Sequence, residues 1–311
     1  MNIHGSFNFM IRGHGLDFEA VSAALGLQPS DIVHEGPRPR GHGAIPTDGW
    51  FYSRDYDETV VDVSTVVVEL LNDLRPQADS IRALQKRPDV TTVHVSAFFQ
   101  SDSAQMWFEL PREVIRGLRE LGTDLDIHII SWTDEPYDIP TELSAPEFGN
   151  LQGLPPDREA AWDMTGSFTL SVRGVGVDFG RPFDATSITD AVGLSPTMVR
   201  SDSYHGEWLH RRSFAVNDLG GRWDSDIIAD ALMRLLKDLG PNAASIRALN
   251  RRPDVTSFTI ECRLRSVAAQ MGYTLPIEAI DRLCELGVGI TFHVRSGGMG
   301  LGDRDDGAQS R

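Results

Sequence analysis

Three residue pairs recur at matching places in this chain and carry the chemistry its sequence offers: Arg12 with Arg173, Gln105 with Gln270, and His128 with His293. Arginine presents a planar fork of donors that grips carboxylate or phosphate, and histidine changes charge near neutral pH. Such a set suits a polar ligand site or a hydrogen-bonded interface. Every member falls on the polar side of a segment in which apolar and polar residues alternate. Phe98 and Trp107 lie on that side too, with Met10 and Ile130, so the sequence predicts an apolar patch that something should cover.

No catalytic residue, metal site or cofactor is assigned. H-E-x-x-H, G-x-S-x-G and P-loop strings are absent, and His34, His42, His205 and His210 lack metal-ligand spacing. Gly13-His14-Gly15 and Gly174-Val175-Gly176 follow a strand and precede a helix but lack the third glycine of a dinucleotide loop. They read as tight turns. Cys262 and Cys284 form no C-x-x-C pair and read as buried thiols.

The elements that must position these residues follow from periodicity. Phe7, Phe9 and Ile11 alternate with polar neighbours, as do Val93 to Phe99, Met106 to Leu110 and Leu125 to Ile129, which marks strands with one covered and one open face. A second series, Phe168 to Val172, Phe258 to Leu264, Met271 to Leu275 and Ile290 to Val294, repeats the pattern. Shorter strands are expected around Trp50 and Trp208. Helices are predicted at about 17–27, 62–74 and 112–121, each with a counterpart; Val63 to Leu74 is settled by Ile228 to Leu239, which shows the same i, i+3, i+4, i+7 spacing without the valines.

The two series imply a duplication. Ser80-Ile81-Arg82-Ala83-Leu84 with Arg87-Pro88-Asp89-Val90-Thr91 recurs 165 residues later as Ser245-Ile246-Arg247-Ala248-Leu249 with Arg252-Pro253-Asp254-Val255-Thr256, and the same offset links Gln105-Met106 to Gln270-Met271. Near the start the offset is 161, linking Arg12-Gly13 to Arg173-Gly174. The reading is α+β: two tandem ferredoxin-like domains in the order β-α-β-α-β-β-α-β, at 1–132 and 166–297, with an acidic, proline-rich linker at 133–165 and a disordered tail at 298–311.

At 41% hydrophobic and 24% charged over 311 residues, the chain has the make-up of two globular cores. Its net charge of −16 opposes a nucleic-acid partner, because phosphate binding needs a cationic footprint. The charge is uneven: residues 1–132 carry 11 basic and 19 acidic side chains, 133–165 carry 1 and 8, and 166–311 carry 17 and 18. No apolar window approaches the ~20 residues of a membrane span, and Met1 to Gly15 lacks the pattern of a signal peptide, so the expectation is cytoplasmic.

Each repeat resembles the bacterial domain of unknown function family 4279 (DUF4279). The likeness rests on the first strand ending in Gly13 or Gly174, the run Leu25 to Pro29 with its counterpart Val192 to Pro196, Trp50 or Trp208, and the closing strand around His128 or His293. It implies the domain boundaries and carries no activity, cofactor or catalytic residue. The sequence therefore predicts a non-enzymatic, acidic binding module that engages another protein, in an immunity-type or adaptor role, as a monomeric pseudo-dimer whose open faces pair. The alternative is a small-molecule enzyme or sensor with a site between the repeats, centred on Arg12, Arg173, His128 and His293.

Overall fold

The structure, a computed structural model, describes residues 3–37, 44–57, 63–103, 105–131, 164–175, 183–201, 205–216, 225–266 and 270–296. The proline-rich segment 133–163 and the tail from 297 lie outside them. In the first half the elements are β1 (Ile3–Gly13), α1 (Phe18–Leu25), β2 (Asp31–Val33), β3 (Gly36–Pro37), β4 (Ala44–Ile45), β5 (Asp48–Asp57), α2 (Val63–Leu74), α3 (Ala78–Leu84), β6 (Val90–Ser101), β7 (Gln105–Leu110), α4 (Arg112–Leu121) and β8 (Asp124–Ser131). The second half has β9 (Met164–Val175), α5 (Ala185–Val192), β10 (Met198–Ser201), β11 (His205–Val216), α6 (Ser225–Leu239), α7 (Ala243–Leu249), β12 (Val255–Ser266), β13 (Gln270–Leu275), α8 (Ile277–Leu286) and β14 (Gly289–Ser296).

The fold is mixed α+β with two six-stranded sheets, and their order shows how the halves are joined. One sheet runs β13-β8-β6-β1-β5-β2 and the other β7-β14-β12-β9-β11-β10. Each half thus gives one strand to the other half's sheet. β7 follows β6 after only residues 102–104 but does not fold back on it; it pairs antiparallel with β14, Trp107 opposite His293 and Phe108 opposite Phe292. Reciprocally, β13 pairs with β8, placing Gly272 opposite His128.

The exchange preserves the core faces. Met106, Phe108 and Leu110 are buried against the second sheet's covered side, and Met271, Tyr273 and Leu275 against the first's. Phe108 bridges the halves, with ring centroids 4.6 Å from Phe99 and 4.9 Å from Phe292. Helices α4 and α8 pack on each other, α2 reaches β7, and α6 reaches β13. One continuous cluster of buried apolar side chains results, from Ile3 to Val294.

Locally the helices begin and end as their sequences dictate. Asp17 and Asp184 accept backbone N–H bonds from Ala20 and Ser187 at the starts of α1 and α5, and Gly26 and Gly193 close those helices with left-handed backbones at φ 64° and 73°. Trp50 and Trp208 are fully buried, and each indole N–H donates at 3.0 Å to a helix hydroxyl, Ser22 and Thr189 respectively. Their strands, β5 and β11, are long members next to the edge of each sheet rather than short additions. Gly13 is required by a close approach, since a Cβ there would sit 1.9 Å from the carbonyl oxygen of Asp89. That carbonyl accepts the His14 N–H at 2.9 Å, so the glycine pair serves a strand-to-turn contact.

Two further features differ from the sequence expectation. A short extra helix, α3 in the first half and α7 in the second, follows the long one; each buries only two apolar side chains, Ile81 with Leu84 and Ile246 with Leu249. The open faces also do not close on each other over Trp107, which is 60% exposed.

Candidate binding faces

On the open face of the first sheet, antiparallel and parallel register bring Met10, His94 and Asp124 into one row and Asn8, Ser96, Asp126 and Thr274 into the next. His94 Nε2 lies 3.1 Å from Asp126 Oδ2, and the exchanged Thr274 hydroxyl donates to Asp126 Oδ1 at 2.6 Å. Asp124 Oδ1 accepts the backbone N–H of Ile277 at 2.7 Å, capping the start of α8 from the other half. Burial pulls His94 below the ordinary histidine value, against the opposing pull of the Asp126 carboxylate. Burial likewise raises Asp124, opposed by the Ile277 N–H. Arg12 projects beside this group with its guanidinium 5.9 Å from the Phe51 ring centroid, and Phe98 stands beside His128.

The open face of the second sheet is more cationic. Glu261, with a side chain only 5% exposed, accepts from Arg173 at 2.9 Å on one oxygen and from Arg263 at 3.0 Å on the other. Arg173 also donates to Glu207 at 2.9 Å. These groups, with Arg200 and Arg211, line a cleft of about 580 Å³. Among the described residues four arginines and two carboxylates line it, an excess of positive charge inside a strongly acidic chain. On β9, the strand that carries Arg173, the hydroxyls of Ser167 and Ser171, both fully buried, make no hydrogen bond within the described structure. Beside the cleft, Arg263, His293 and Trp107 form a single cross-strand row, followed by Arg265, Arg295 and Gln105. Burial lowers His293 as it does His94, against the raising effect of Glu261.

The residues singled out from sequence divide between these two faces. Arg12, Phe98 and His128 belong to the first; Arg173, His293, Gln105 and Trp107 belong to the second, the last two through the strand exchange. Gln270 pairs in register with Ile130 on the first sheet. Equivalent residues therefore fall on different sheets, and each glutamine position shares a sheet with the histidine of the opposite half, Gln105 opposite Arg295 and Gln270 opposite Ile130. The expected apolar patch is split, since Met10, Phe98 and Ile130 stay on the first sheet while Trp107 sits on the second. Arg12 and His128 likewise lie on a different sheet from Arg173 and His293. The sequence reading missed the pairing of His94 with Asp126 and the role of Glu207, Arg200 and Arg211; the polar side of each strand was legible, but not which residue stands opposite which. Among the described residues no group of three His, Cys, Asp or Glu side chains is placed to hold a metal ion.

No curated protein matches the chain. Residues 3–132 match the family described as Domain of unknown function (DUF4279), so the first half of the chain is similar to that family.

Proposed function

We propose that this chain is a non-enzymatic binding module, an internally duplicated pseudo-dimer of the cytoplasm, whose second sheet engages another protein through its open face. The observation that carries the reading is Trp107, 60% exposed on the outer strand of that sheet and flanked in register by His293 and the arginines of the cleft. A large amphipathic ring beside cationic forks is the composition of an interface anchor. The excess of arginine selects a partner that offers carboxylates, while the net charge of −16 disfavours long polyanions such as nucleic acid. The matched order of the two sheets supports duplication as the origin of the fold. Among the described residues no helix is long and apolar enough to cross a membrane.

The test uses the full chain as bait in native lysate, followed by affinity measurement with the purified partner. The reading expects a retained protein whose affinity falls about tenfold or more in Trp107→Ala, on the scale of interface anchors. A bait that retains nothing, or a partner held equally by both forms, would overturn it.

A further inference from the structure

A second cationic cleft, of about 190 Å³, opens where the two halves meet. It is lined by Arg112 and Arg116 of α4, by Arg247, Asn250 and Arg251 at the end of α7, and by Cys284 and Gly287 at the end of α8. Among the described residues no carboxylate lines it. The corresponding corner on the other side of the junction, found by the 165-residue offset, has the same frame but a different charge balance. On that side Gln85 donates to the Gly122 carbonyl at 2.9 Å and Arg82 to the Glu120 carbonyl at 2.7 Å. Around the cleft Asn250 donates to the Gly287 carbonyl at 3.0 Å and Arg247 to the Glu285 carbonyl.

Within that common frame the acids differ. Arg119 pairs with Asp281 at 3.1 Å, and Arg82 pairs with Asp79 at 2.6 Å. At the cleft the positions matching Asp281 and Asp79 are Arg116 and Ala244, and the position matching Ile277 is Arg112. Two carboxylates are thus replaced by an arginine and an alanine, and an apolar residue by another arginine. Among the described residues four guanidinium groups remain around a space with room for a tetrahedral oxyanion.

We propose that this junction cleft binds a phosphate-type dianion, free or as the terminal phosphoryl group of a small molecule, which takes the electrostatic place of the two missing carboxylates and ties α4 to α7 and α8. The site is separate from the open sheet faces and does not depend on the protein partner proposed above.

Thermal melts of the full chain test it, in inorganic phosphate or phenyl phosphate against chloride at matched ionic strength. The wild type should show a saturable rise in midpoint with phosphate that chloride does not reproduce. Arg116→Asp, which rebuilds the carboxylate of the opposite corner, should melt higher than wild type in chloride and lose the phosphate response. Arg251→Gln, an exposed position that leaves the frame intact, should weaken the apparent affinity about tenfold, as loss of a charge-assisted hydrogen bond does. Lys86→Gln, its counterpart at the opposite corner, should leave the response unchanged. A response to inorganic phosphate alone assigns the free ion, and a response to both probes assigns a phosphoryl group. Absence of a saturable response to either in wild type, or an undiminished one in Arg251→Gln, would overturn the proposal.

Discussion

Phe108 stacks on Phe292 with ring centroids 4.9 Å apart and lies 4.6 Å from Phe99 at a tilt of 35°, so one side chain ties the covered sides of both sheets together. The contact exists because β7 leaves its own half and joins β14. Two halves that share strands and one apolar cluster are expected to unfold together rather than as beads on a linker.

That arrangement separates two adjacent residues energetically. Phe108→Ala removes a fully packed ring and should cost about 3–5 kcal/mol, the usual range for such a truncation. Trp107→Ala, one residue earlier on the solvent side, should shift stability by no more than about 0.5 kcal/mol. Denaturant melts of the two variants measure both. A large loss at Trp107 would mean that the open faces close on each other after all.

Stability should fall on mild acidification. His94 and His293 are both held below the ordinary value of about 6.5 by burial. The unfolded chain therefore takes up these protons first, and their contribution is full above that value and declines as pH drops toward the folded values. Asp124 works in the opposite sense, since burial raises it and its protonation favours the folded state nearer pH about 4. Between pH about 7.5 and about 5.5 the histidines dominate, so the urea midpoint should drop, and His94→Gln should reduce the drop. A midpoint that rises over this interval, or an identical drop in His94→Gln, would contradict the assignment.

The cysteines should differ in reactivity. Burial pushes the Cys262 thiol well up from its ordinary value and seals it inside the second sheet, whereas Cys284 is only partly covered at the α4–α8 contact. A thiol reagent should label Cys284 in the native protein and Cys262 only on unfolding. Equal labelling rates would show that the second core is open.

Much of this fold was legible in the sequence, and the exceptions have physical causes. Alternation placed Phe7, Phe9, Ile11, Leu125 and Ile127 on the covered faces, where all are fully buried. It could not place β7 and β13 in their sheets, because Met106, Phe108 and Leu110 carry the same inward pattern as Met271, Tyr273 and Leu275. Exchanging the two strands leaves each core face apolar, so periodicity is blind to the choice. Helices α3 and α7 escaped notice because seven residues with two buried side chains do not establish a helical period. The candidate faces were visible as sets of polar residues, but strand pairing decides that Asp126 meets His94 and that Glu261, beside Arg263 on its own strand, also meets Arg173.

The strand exchange itself is tested most directly by cysteine cross-linking in a Cys284→Ser background. Exchange places Gln105 opposite Arg295, while an unexchanged sheet would place Gln105 opposite Ile130, where Gln270 now stands. A short bis-thiol reagent should link Gln105→Cys with Arg295→Cys rapidly within one chain, and should link Gln105→Cys with Ile130→Cys far more slowly. Preferential linkage to position 130 would show that each half keeps its own strand and would contradict the account.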